Sequence, residues 1–509
     1  MRIWLNNQYN CSNIVDVCVV GAGAAGMAAA RAAAKEGARV LLVEREACPG
    51  GILPQCVHDG FGVFSVGKSL TGPAYAQTLW EKLDKCDIDV LLSCDVCSLS
   101  YASPSEIVST FAAGEHCDSQ VVRVALRGAA VGGEGHVYAR QLVLATGCYE
   151  KPASSLGIAG TRPAGVMTAG AAQRLMNMDG MLPGKNVVIL GTGDIAAIVA
   201  RRLKLEGANV VAMIGAQITC LHRNYVQCIR EFDIPLRVPW TVLSVEGSAR
   251  VQAVTIAPLD EQGKPDTSRK EKIACDTLLL AAGLKPRTEV LDALLCCDKQ
   301  VQNALETPLI QLAGNARTIH ALVDAAVVEG AQAGITAAKR ALDARGDSRP
   351  AQTKKSVFLP HVSEENLARG ASVCPTDSNK HYTCSMCPKS CTGTYHENED
   401  GSFTCAGFEC EKGKAQAQEL AGTAHELFAF TGTVLLENKG GLYQLPVHSS
   451  AVLSQKQIML VAQEAKKLCV QGSYACGQTV VSNIAGLNCT LEASCDSSLL
   501  ERMGMNGGC

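Results

Sequence analysis

The sequence predicts an α/β protein made of two strand–glycine turn–helix–strand units, followed by a small cysteine-rich α+β domain. Two observations predict the repeated unit: an apolar strand leads into a glycine turn and an alanine-rich helix at Ile14, and the same pattern returns at Asn186. A third predicts the added domain, because the last 139 of the 509 residues contain 11 of the 25 cysteines.

The first unit lies in the N-terminal part of the chain. Ile14–Val20 is an apolar strand, Ala24–Glu36 an alanine-rich helix and Arg39–Glu44 a second apolar strand. Strands that are apolar on both faces are typical of buried parallel sheets, so we predict a parallel β-α-β arrangement. Further along, Val121–Gly135 indicates a β-meander that leads into a strand at Arg140–Ala145.

The second unit repeats the first at close register. It comprises a strand at Asn186–Leu190, a helix at Asp194–Glu206 and a strand at Asn209–Ile214. A buried strand at Thr277–Ala282 and an alanine-rich helix at Val323–Leu342 then return the chain to the first unit. Two dinucleotide-binding (Rossmann-like) units in one chain are therefore expected.

The segments between these units set the predicted domain bounds. Prolines and charged pairs indicate an exposed linker after the last helix, and beyond it the composition changes to Cys, Thr and Ser. The predicted segments are a discontinuous first domain (residues 1–150 and 275–345), a second domain (151–274), a linker (346–371) and a cysteine-rich domain (372–509).

The composition excludes several classes of function. Lys plus Arg number 46 and Asp plus Glu 49, giving a net charge of −3 without a basic block, so no nucleic-acid partner is expected. The apolar run at residues 17–30 is too short to span a bilayer, and no signal peptide is recognisable. We therefore expect no direct membrane insertion and a cytoplasmic location, and the many cysteines indicate a reducing, anaerobic compartment.

The first glycine turn has the chemistry of a dinucleotide site. In the sequence Gly21-Ala-Gly23-Ala-Ala-Gly26, the first glycine permits the tight turn, the second lets the backbone approach a pyrophosphate, and the third lets helix and strand pack closely. The helix N-terminus offers unpaired N–H groups to phosphates. Glu44, at the end of the second strand, can accept hydrogen bonds from a ribose diol.

Three further glycine-containing turns favour FAD at this first site. Together with the first turn, Gly50-Gly51, Ala145-Thr146-Gly147 and Gly314-Asn315 resemble the two-dinucleotide-binding flavoprotein reductases. In these proteins the last turn contacts the ribityl and pyrophosphate region, and Asn315 stands where Asp is commoner. The residues assigned to FAD are Gly21, Gly23, Ala24, Ala25, Gly26, Glu44, Arg45, Gly50, Gly51, Ala145, Thr146, Gly147, Gly314 and Asn315.

Longer motifs narrow this resemblance to one branch of flavoproteins. They are the segments 51–62, 70–75, 160–165 and 191–195. Residues 14–345 resemble the FAD/NAD(P)-dependent oxidoreductase subunits that accompany anaerobic glycerol-3-phosphate dehydrogenases. These proteins are related to the corresponding components of opine oxidase, hydrogen cyanide synthase and dye-linked proline dehydrogenase.

The second glycine turn is expected, from this resemblance, to hold NAD(P)H. The residues assigned to it are Gly191, Gly193, Asp194, Ile195 and Ala196. The turn departs from the pattern because its second strand ends at Ile214-Gly215, without the acid that usually binds the adenosine ribose. Arg223 is the nearest arginine for a 2′-phosphate. A vestigial domain that keeps its fold without binding nicotinamide therefore remains the alternative.

The cysteine-rich domain carries a ligand pattern for a metal. Cys384, Cys387 and Cys391 follow the spacing C-x2-C-x3-C, and Cys410 follows 19 residues later. Three closely spaced thiolates and one remote thiolate suit a 4Fe–4S cubane, whereas zinc sites more often use two C-x2-C knuckles. Zinc and a metal-free structural role remain open. Cys405 competes as fourth ligand, but the Lys-Gly after Cys410 favours Cys410.

Residues 380–496 also resemble a small four-cysteine domain of unassigned function, usually encoded beside the flavoprotein subunits named above. The other C-x2-C pair, Cys94 and Cys97, lies in a β run at residues 90–100. In an extended strand the two thiols project from opposite faces, which suits neither a metal nor a disulfide. Cys56 and His58 follow the Gly50-Gly51 turn, where they could act on the flavin or simply pack.

These patterns predict a flavin-dependent oxidoreductase subunit. We expect it to pass electrons between NAD(P)H, FAD and a 4Fe–4S cluster, to or from a glycerol-3-phosphate dehydrogenase-like flavoprotein partner in a hetero-oligomer. The alternative is an electron-transfer or assembly subunit with a vestigial nicotinamide domain, or with zinc in place of the cluster. A thiol-disulfide reductase would need a cysteine pair at the flavin, which the sequence does not place there.

Overall fold

A computed structural model describes residues 1–4, 9, 14–102, 120–292, 294, 308–346, 381–397, 403–410, 413–414, 417 and 427–502. Beyond its first residue, the predicted linker 346–371 lies outside the described residues. All elements and all counts of strands below refer to these described residues.

The first unit is built on an eight-stranded sheet, which is parallel around its centre. Seven strands follow in the spatial order Arg2–Trp4, Ile88–Leu91, Val40–Val43, Ile14–Val20, Gly133–Leu144, Val121–Gly128 and Cys94–Ala102. The eighth strand, Ile310–Leu312, pairs in parallel with Gly133–Leu144. Six of the eight strands are mutually parallel and therefore end at one edge of this sheet, where ligands of open α/β sheets bind.

The second unit has a parallel sheet of five strands. Their spatial order is Val166–Thr168, Thr277–Leu280, Asn186–Leu190, Asn209–Ile214 and Leu236–Arg237. A mixed sheet of four strands covers it, in the order Glu271–Ala274, Val251–Pro258, Trp240–Gly247 and Ala159–Gly160. Its first three strands are antiparallel, and the last pairs in parallel with Trp240–Gly247. A two-stranded ribbon of Cys148–Glu150 and Leu284–Pro286 lies on the path between the two units.

The C-terminal part contains two sheets. The cysteine motif lies beside a three-stranded sheet of His381–Thr383, Thr392–Glu397 and Phe403–Ala406. A five-stranded sheet follows, in the order Cys469–Gln471, Phe428–Asn438, Gly441–Leu453, Leu491–Ala493 and Thr479–Val481.

Helices flank these sheets. Those of at least six residues in α form are Ala24–Lys35, Gly72–Asp84, Ala169–Asn177, Asp194–Leu205, Val323–Ala344, Gln455–Ala465 and Ser497–Arg502. The short helix His222–Asn224 continues into a π-helical segment, Tyr225–Arg230. No helix of the described residues is long and apolar enough to cross a membrane.

In the first unit, small residues let two helices pack closely against each other. The glycine-turn helix Ala24–Lys35 packs closely along the long helix Val323–Ala344. A Cβ on Gly330 or Gly334 would overlap the backbone of Ala25 or Ala29 on the opposite helix. Small side chains at this crossing let both helices cover the sheet together.

The C-terminal sheet packs on the second unit, which the sequence did not indicate. Phe428 and Phe430 belong to the same buried cluster as Ala196 and Val199 of the helix Asp194–Leu205. Polar contacts join the same surfaces, since Arg202 Nη2 donates to Thr433 Oγ1 at 3.0 Å. The two regions therefore share one hydrophobic core, and the predicted domain bounds stay predictions.

Most predicted elements are present, with one clear error. Residues 90–100 are predicted from the sequence to form one β run, but they contain the end of Ile88–Leu91 and the start of Cys94–Ala102. Ser93 breaks it by adopting a φ of +51°. The predicted meander and the strand after it are continuous, because Gly133–Leu144 is a single strand of 12 residues.

Candidate functional site

The first glycine turn lies where its strand, its helix and a neighbouring strand end meet. Gly21 has a φ of +99°, and a Cβ there would lie 2.5 Å from the carbonyl oxygen of Ala145. A Cβ on Gly26 would overlap the carbonyl of Gly21. At these two positions glycine alone permits the turn and the close packing of the helix, as the pattern predicted.

The middle glycine borders open space. The nearest heavy atom to a Cβ on Gly23 would be the Cα of Gly51, at 3.9 Å, so the Gly50-Gly51 turn faces the glycine turn. Gly147 also faces open space, because no heavy atom of the described chain lies within 4 Å of its Cβ position. A gap bordered by glycines and by a helix N-terminus fits the pyrophosphate of FAD.

Glu44 is fixed at the end of the strand Val40–Val43. Its two carboxylate oxygens accept the N–H of Ala22 at 2.6 Å and that of Glu46 at 2.9 Å. Burial raises the pKa of Glu44, while these two N–H groups act in the opposite direction. A carboxylate has further lone pairs, so it can still accept from a ribose diol. Its neighbour Arg45 is exposed and pairs with Glu46 at 3.4 Å.

The Gly314-Asn315 turn closes the same site. A Cβ on Gly314, at φ +61°, would lie 2.6 Å from the Cβ of Ala25. Asn315 Nδ2 donates to Cys148 Sγ at 3.5 Å, and its Oδ1 accepts the N–H of His320 at 3.0 Å. The predicted FAD residues thus lie around the carboxyl edge of the first sheet.

The second glycine turn has a backbone like that of the first, but a different side chain lies beside the end of its second strand. Gly191 has a φ of +136°, and a Cβ there would overlap the carbonyl of Ala281. The side chain of Thr192 fills the place beside Gly215, where a Cβ would lie 2.5 Å from Thr192 Oγ1. Thr192 Oγ1 also donates to the carbonyl of Gln217 at 2.5 Å. The strand end therefore carries no carboxylate at Gly215, and the space beside it is occupied.

Asp194, the first residue of the helix after this turn, is hydrogen-bonded within the protein. Asp194 Oδ1 accepts the N–H of Leu221 and the Nδ2 of Asn224, each at 2.7 Å. Burial raises the pKa of Asp194. Ile195 is exposed and Ala196 is fully buried. Asp194 therefore anchors the segment that follows the second strand.

Two arginines near the end of the strand Asn209–Ile214, where the adenosine of a nicotinamide cofactor is expected, differ in solvent exposure. Arg223, the arginine considered from sequence, is buried, and its Nη2 pairs with Asp59 Oδ1 at 2.7 Å. Arg237 stands beside the strand end instead, since it pairs with Ile214 in the parallel register and its side chain is half-exposed. The strand Leu236–Arg237 is two residues long, so no periodicity signalled it.

A family comparison covers both glycine turns. Residues 15–343 match the family described as pyridine nucleotide-disulphide oxidoreductase. This match spans more than half of the 509 residues. The chain belongs to this family.

Curated components of multi-subunit enzymes are similar to the same region. Hydrogen cyanide synthase subunit HcnB of Pseudomonas protegens is 27% identical over 304 residues, covering 53% of this chain and 57% of its own. The alpha subunit of the sarcosine oxidase of Corynebacterium sp. is 31% identical, covering 53% and 26%. An opine oxidase subunit of Rhizobium meliloti is 28% identical, covering 55% and 52%. The chain thus matches about half or less of these relatives' lengths.

Solved structures align over a similar region. The thioredoxin reductase of Lactococcus lactis aligns with a TM-score of 0.49 and 19% identity, covering 65% of this chain and 99% of its own. That of T. acidophilum aligns with a TM-score of 0.47 and 20% identity, covering 65% and 98%.

The two residues considered for flavin chemistry, Cys56 and His58, pack as neutral groups. Cys56 Sγ donates to the carbonyl of Ile52 at 3.3 Å, and burial raises the pKa of this thiol to about 12. Burial lowers the pKa of His58 to about 4, and its ring lies 4.8 Å from that of Phe61. A catalytic role for either residue stays a prediction. Cys94 is buried and Cys97 exposed on one strand, as predicted.

The four predicted ligand cysteines are neighbours without forming a metal-binding group. The other three thiols all act on the pKa of Cys384, which burial raises to about 12. Among the described residues, however, no group of three or more His, Cys, Asp or Glu side chains is arranged to hold a metal ion. Metal binding would require these thiols to be deprotonated.

Backbone N–H groups approach two of these sulphurs. The N–H of Met386 donates to Cys384 Sγ at 3.5 Å, and that of Gly413 donates to Cys410 Sγ at 3.3 Å. A Cβ on Gly413 would lie 3.4 Å from Cys384 Sγ and 3.6 Å from Cys410 Sγ. Thiolates bound to a metal carry negative charge, which such N–H donors stabilise.

The cysteine loop docks against both dinucleotide-binding units. On the first unit, Pro388 lies 3.5 Å from the Cβ position of Gly60, and Lys389 Nζ lies 5.8 Å above the ring of Phe64. On the second unit, Gln227 Nε2 donates to the carbonyl of Ser385 at 2.6 Å. Sequence spacing gave no signal for this docking, because the contacts join distant parts of the chain.

Proposed function

We propose that this protein is a flavin-dependent oxidoreductase subunit that passes electrons between NAD(P)H, FAD and a 4Fe–4S cluster, to or from a partner dehydrogenase. FAD, when bound, exchanges both electron pairs and single electrons, which makes it the converter between a nicotinamide and an iron–sulphur cluster. Family membership and the open space between the glycine turns support the flavin part of this proposal.

One observation carries the cluster part: the cysteine loop lies against the segment that follows the Gly50-Gly51 turn. Gly60 and Phe64, which contact Pro388 and Lys389, are within 13 residues of Gly51 along the chain. A cluster held by the four cysteines would therefore lie next to the flavin unit. Electron transfer inside one chain needs such proximity.

The residues of this chain have separate tasks in this proposal. The glycine turns and Glu44 hold FAD, and Cys384, Cys387, Cys391 and Cys410 hold the cluster. Arg223 joins the two regions: it pairs with Asp59 of the flavin unit, and its charge acts on Cys387 against the effect of burial, which raises the pKa of that thiol.

A partner that oxidises the substrate is part of the proposal. The similar curated proteins are named as subunits of hydrogen cyanide synthase, sarcosine oxidase and opine oxidase. We therefore expect a hetero-oligomer with a flavoprotein dehydrogenase, of the glycerol-3-phosphate dehydrogenase type suggested by the sequence. Anaerobic co-purification followed by identification of the bound protein tests this expectation.

Metal analysis of anaerobically purified protein tests the cluster. We expect about four irons and four sulphides per chain, and Ser in place of any one of Cys384, Cys387, Cys391 or Cys410 should bleach the broad visible absorbance and lower the iron content. FAD should stay bound in these variants, and NAD(P)H-to-dye activity should survive. Electron delivery to the partner should be lost.

Cys405→Ser is the matched control, since this cysteine lies on the neighbouring strand Phe403–Ala406 and should be dispensable for iron. Cys94→Ser controls for the loss of a buried thiol in the first unit. Protein that contains one zinc and neither iron nor sulphide would overturn the cluster and leave a structural docking module.

An electron-transfer subunit with a vestigial nicotinamide domain is the second candidate. Gly215 favours this candidate, because it stands where a ribose-binding acid is expected and Thr192 fills the space beside it. Arg237 favours nicotinamide binding instead, as a half-exposed cation suited to the 2′-phosphate of NADPH. Anaerobic stopped-flow reduction of the flavin decides: no reduction by NADH or NADPH, with ready reduction by the partner, supports the vestigial domain.

A further inference from the structure

A small polar cavity lies where three parts of the molecule meet. Asp59 of the first unit, Arg201 and Arg223 of the second unit and Thr431 of the C-terminal sheet are among the residues that line it. Its volume is about 20 Å³, which is room for roughly one water-sized particle. The cavity adjoins the cysteine loop, because Gln227, which also lines it, donates to the carbonyl of Ser385.

Positive charge exceeds negative charge around the cavity. Arg223 pairs with Asp59 at 2.7 Å, and Arg202 pairs with Glu206 at 2.7 Å. Arg201 forms no ion pair within the described part of the chain; its Nη2 donates to a backbone carbonyl at 3.2 Å and its guanidinium lies 5.7 Å above the Phe232 ring. Lys466 also pairs with Glu206, at 3.2 Å, and the carboxylate of Asp194 interacts with the charge of Arg223 and accepts a hydrogen bond from Asn224 of the lining. Three guanidinium groups and one ammonium group thus face three carboxylates, which leaves one positive charge in excess.

The three arginines also have unused donors. Their side chains are 6%, 6% and 3% exposed for Arg201, Arg202 and Arg223. The Nε of each is buried and has no hydrogen-bond partner among the described residues. A buried charged donor that lacks a partner is destabilising, by more than a neutral donor would be.

The other titratable groups at the cavity do not supply the missing negative charge. Burial raises the pKa of the Cys228 thiol to about 11, so it is protonated at neutral pH. His58, with its pKa lowered to about 4, is neutral. Burial lowers the pKa of Arg201 and Arg202, which is the direction expected for cations removed from water.

We propose that this cavity binds a small monovalent inorganic anion of the size of chloride, held by the guanidinium of Arg201 with those of Arg202 and Arg223. Such an anion balances the positive charge of Arg201 and accepts hydrogen bonds from the unused Nε donors. A water molecule could accept those bonds but would leave the charge uncompensated. The proposal is independent of the flavin and cluster functions.

The first test measures thermal unfolding of the full chain while sodium chloride replaces sodium gluconate at constant ionic strength. We expect 200 mM chloride to raise Tm by about 3–5 °C in the wild type. Arg201→Gln should remove this dependence. Arg127→Gln removes an exposed, ion-paired arginine of the first unit and should retain it. Equal Tm values of the wild type in chloride and gluconate would overturn the proposal.

The second test uses wild-type protein alone, so it holds even where Arg201→Gln does not fold. Crystals grown or soaked in sodium bromide are measured at the bromine absorption edge. We expect one buried anomalous peak within hydrogen-bond distance of the Arg201 guanidinium. Density for a water without anomalous signal in this cavity would overturn the proposal.

Discussion

The two glycine turns share a backbone plan and differ in the side chains at the end of the neighbouring strand. In the first, Glu44 accepts the N–H of Ala22, and Gly23 faces open space. In the second, Thr192 stands where the first turn has Ala22, and Gly215 stands where it has Glu44. The chain therefore uses the same β-α-β geometry twice, and the side chains at these two positions set the ligand chemistry of each turn.

The openness of the middle glycine differs as well. A Cβ on Gly23 would lie 3.9 Å from its nearest heavy atom, whereas one on Gly193 would lie 3.3 Å from Thr219 Oγ1. The segment after the second strand therefore approaches its glycine turn. We expect the first turn to bind its dinucleotide tightly and the second to bind a dissociable one.

The largest effect is expected from closing the first turn. Gly23→Val should lower FAD affinity at least about tenfold, because the side chain enters the space left for the pyrophosphate. The fold should survive, since that space is open in the protein. The flavin-to-protein absorbance ratio and far-ultraviolet circular dichroism measure the two properties. Full flavin content in a folded variant would show that FAD lies elsewhere.

The matched change in the second turn should spare the flavin. Gly193→Val should leave FAD content at the wild-type level and raise the KM for NAD(P)H about tenfold in a dye-reduction assay. Its own flavin content is the internal control. Unchanged flavin reduction by both nicotinamides would mean that they do not bind at this turn.

A smaller effect should follow from giving the second turn the side chains of the first. Thr192→Ala combined with Gly215→Glu should lower the KM for NADH relative to NADPH about fivefold, because a carboxylate then faces the ribose diol. Gly215→Glu alone should lower Tm, since its Cβ would meet Thr192 Oγ1 at 2.5 Å. An unaltered preference in a stable double variant would contradict the assignment of this strand end.

The smallest effect is expected at Arg237. Arg237→Ala should raise the KM for NADPH about threefold and leave that for NADH unchanged, because the guanidinium is placed for a 2′-phosphate. Its ion pair with Glu271, at 3.6 Å, is exposed and adds little stability. Lys272→Ala, an exposed cation on the neighbouring mixed sheet, is the control. Equal changes for both nicotinamides would indicate a general electrostatic effect.

Local patterns predicted the dinucleotide-binding units well. The strands Ile14–Val20, Asn186–Leu190 and Asn209–Ile214 lie where the apolar runs predicted them. The break at Ser93 was missed because a serine with positive φ has no distinctive sequence signal. The short strand Leu236–Arg237 was missed because two residues show no period.

The sequence by itself determined the two glycine turns, the residues that converge at the first of them and the spacing of the four cysteines. Each depends on neighbours along the chain, through the period of a strand or helix and the conformational freedom of glycine. Only the tertiary structure decided that the cysteine loop contacts both dinucleotide-binding units and that Arg201 lines a cavity with Arg223. These contacts join residues far apart in sequence, and packing of buried surfaces, which no local pattern encodes, brings them together.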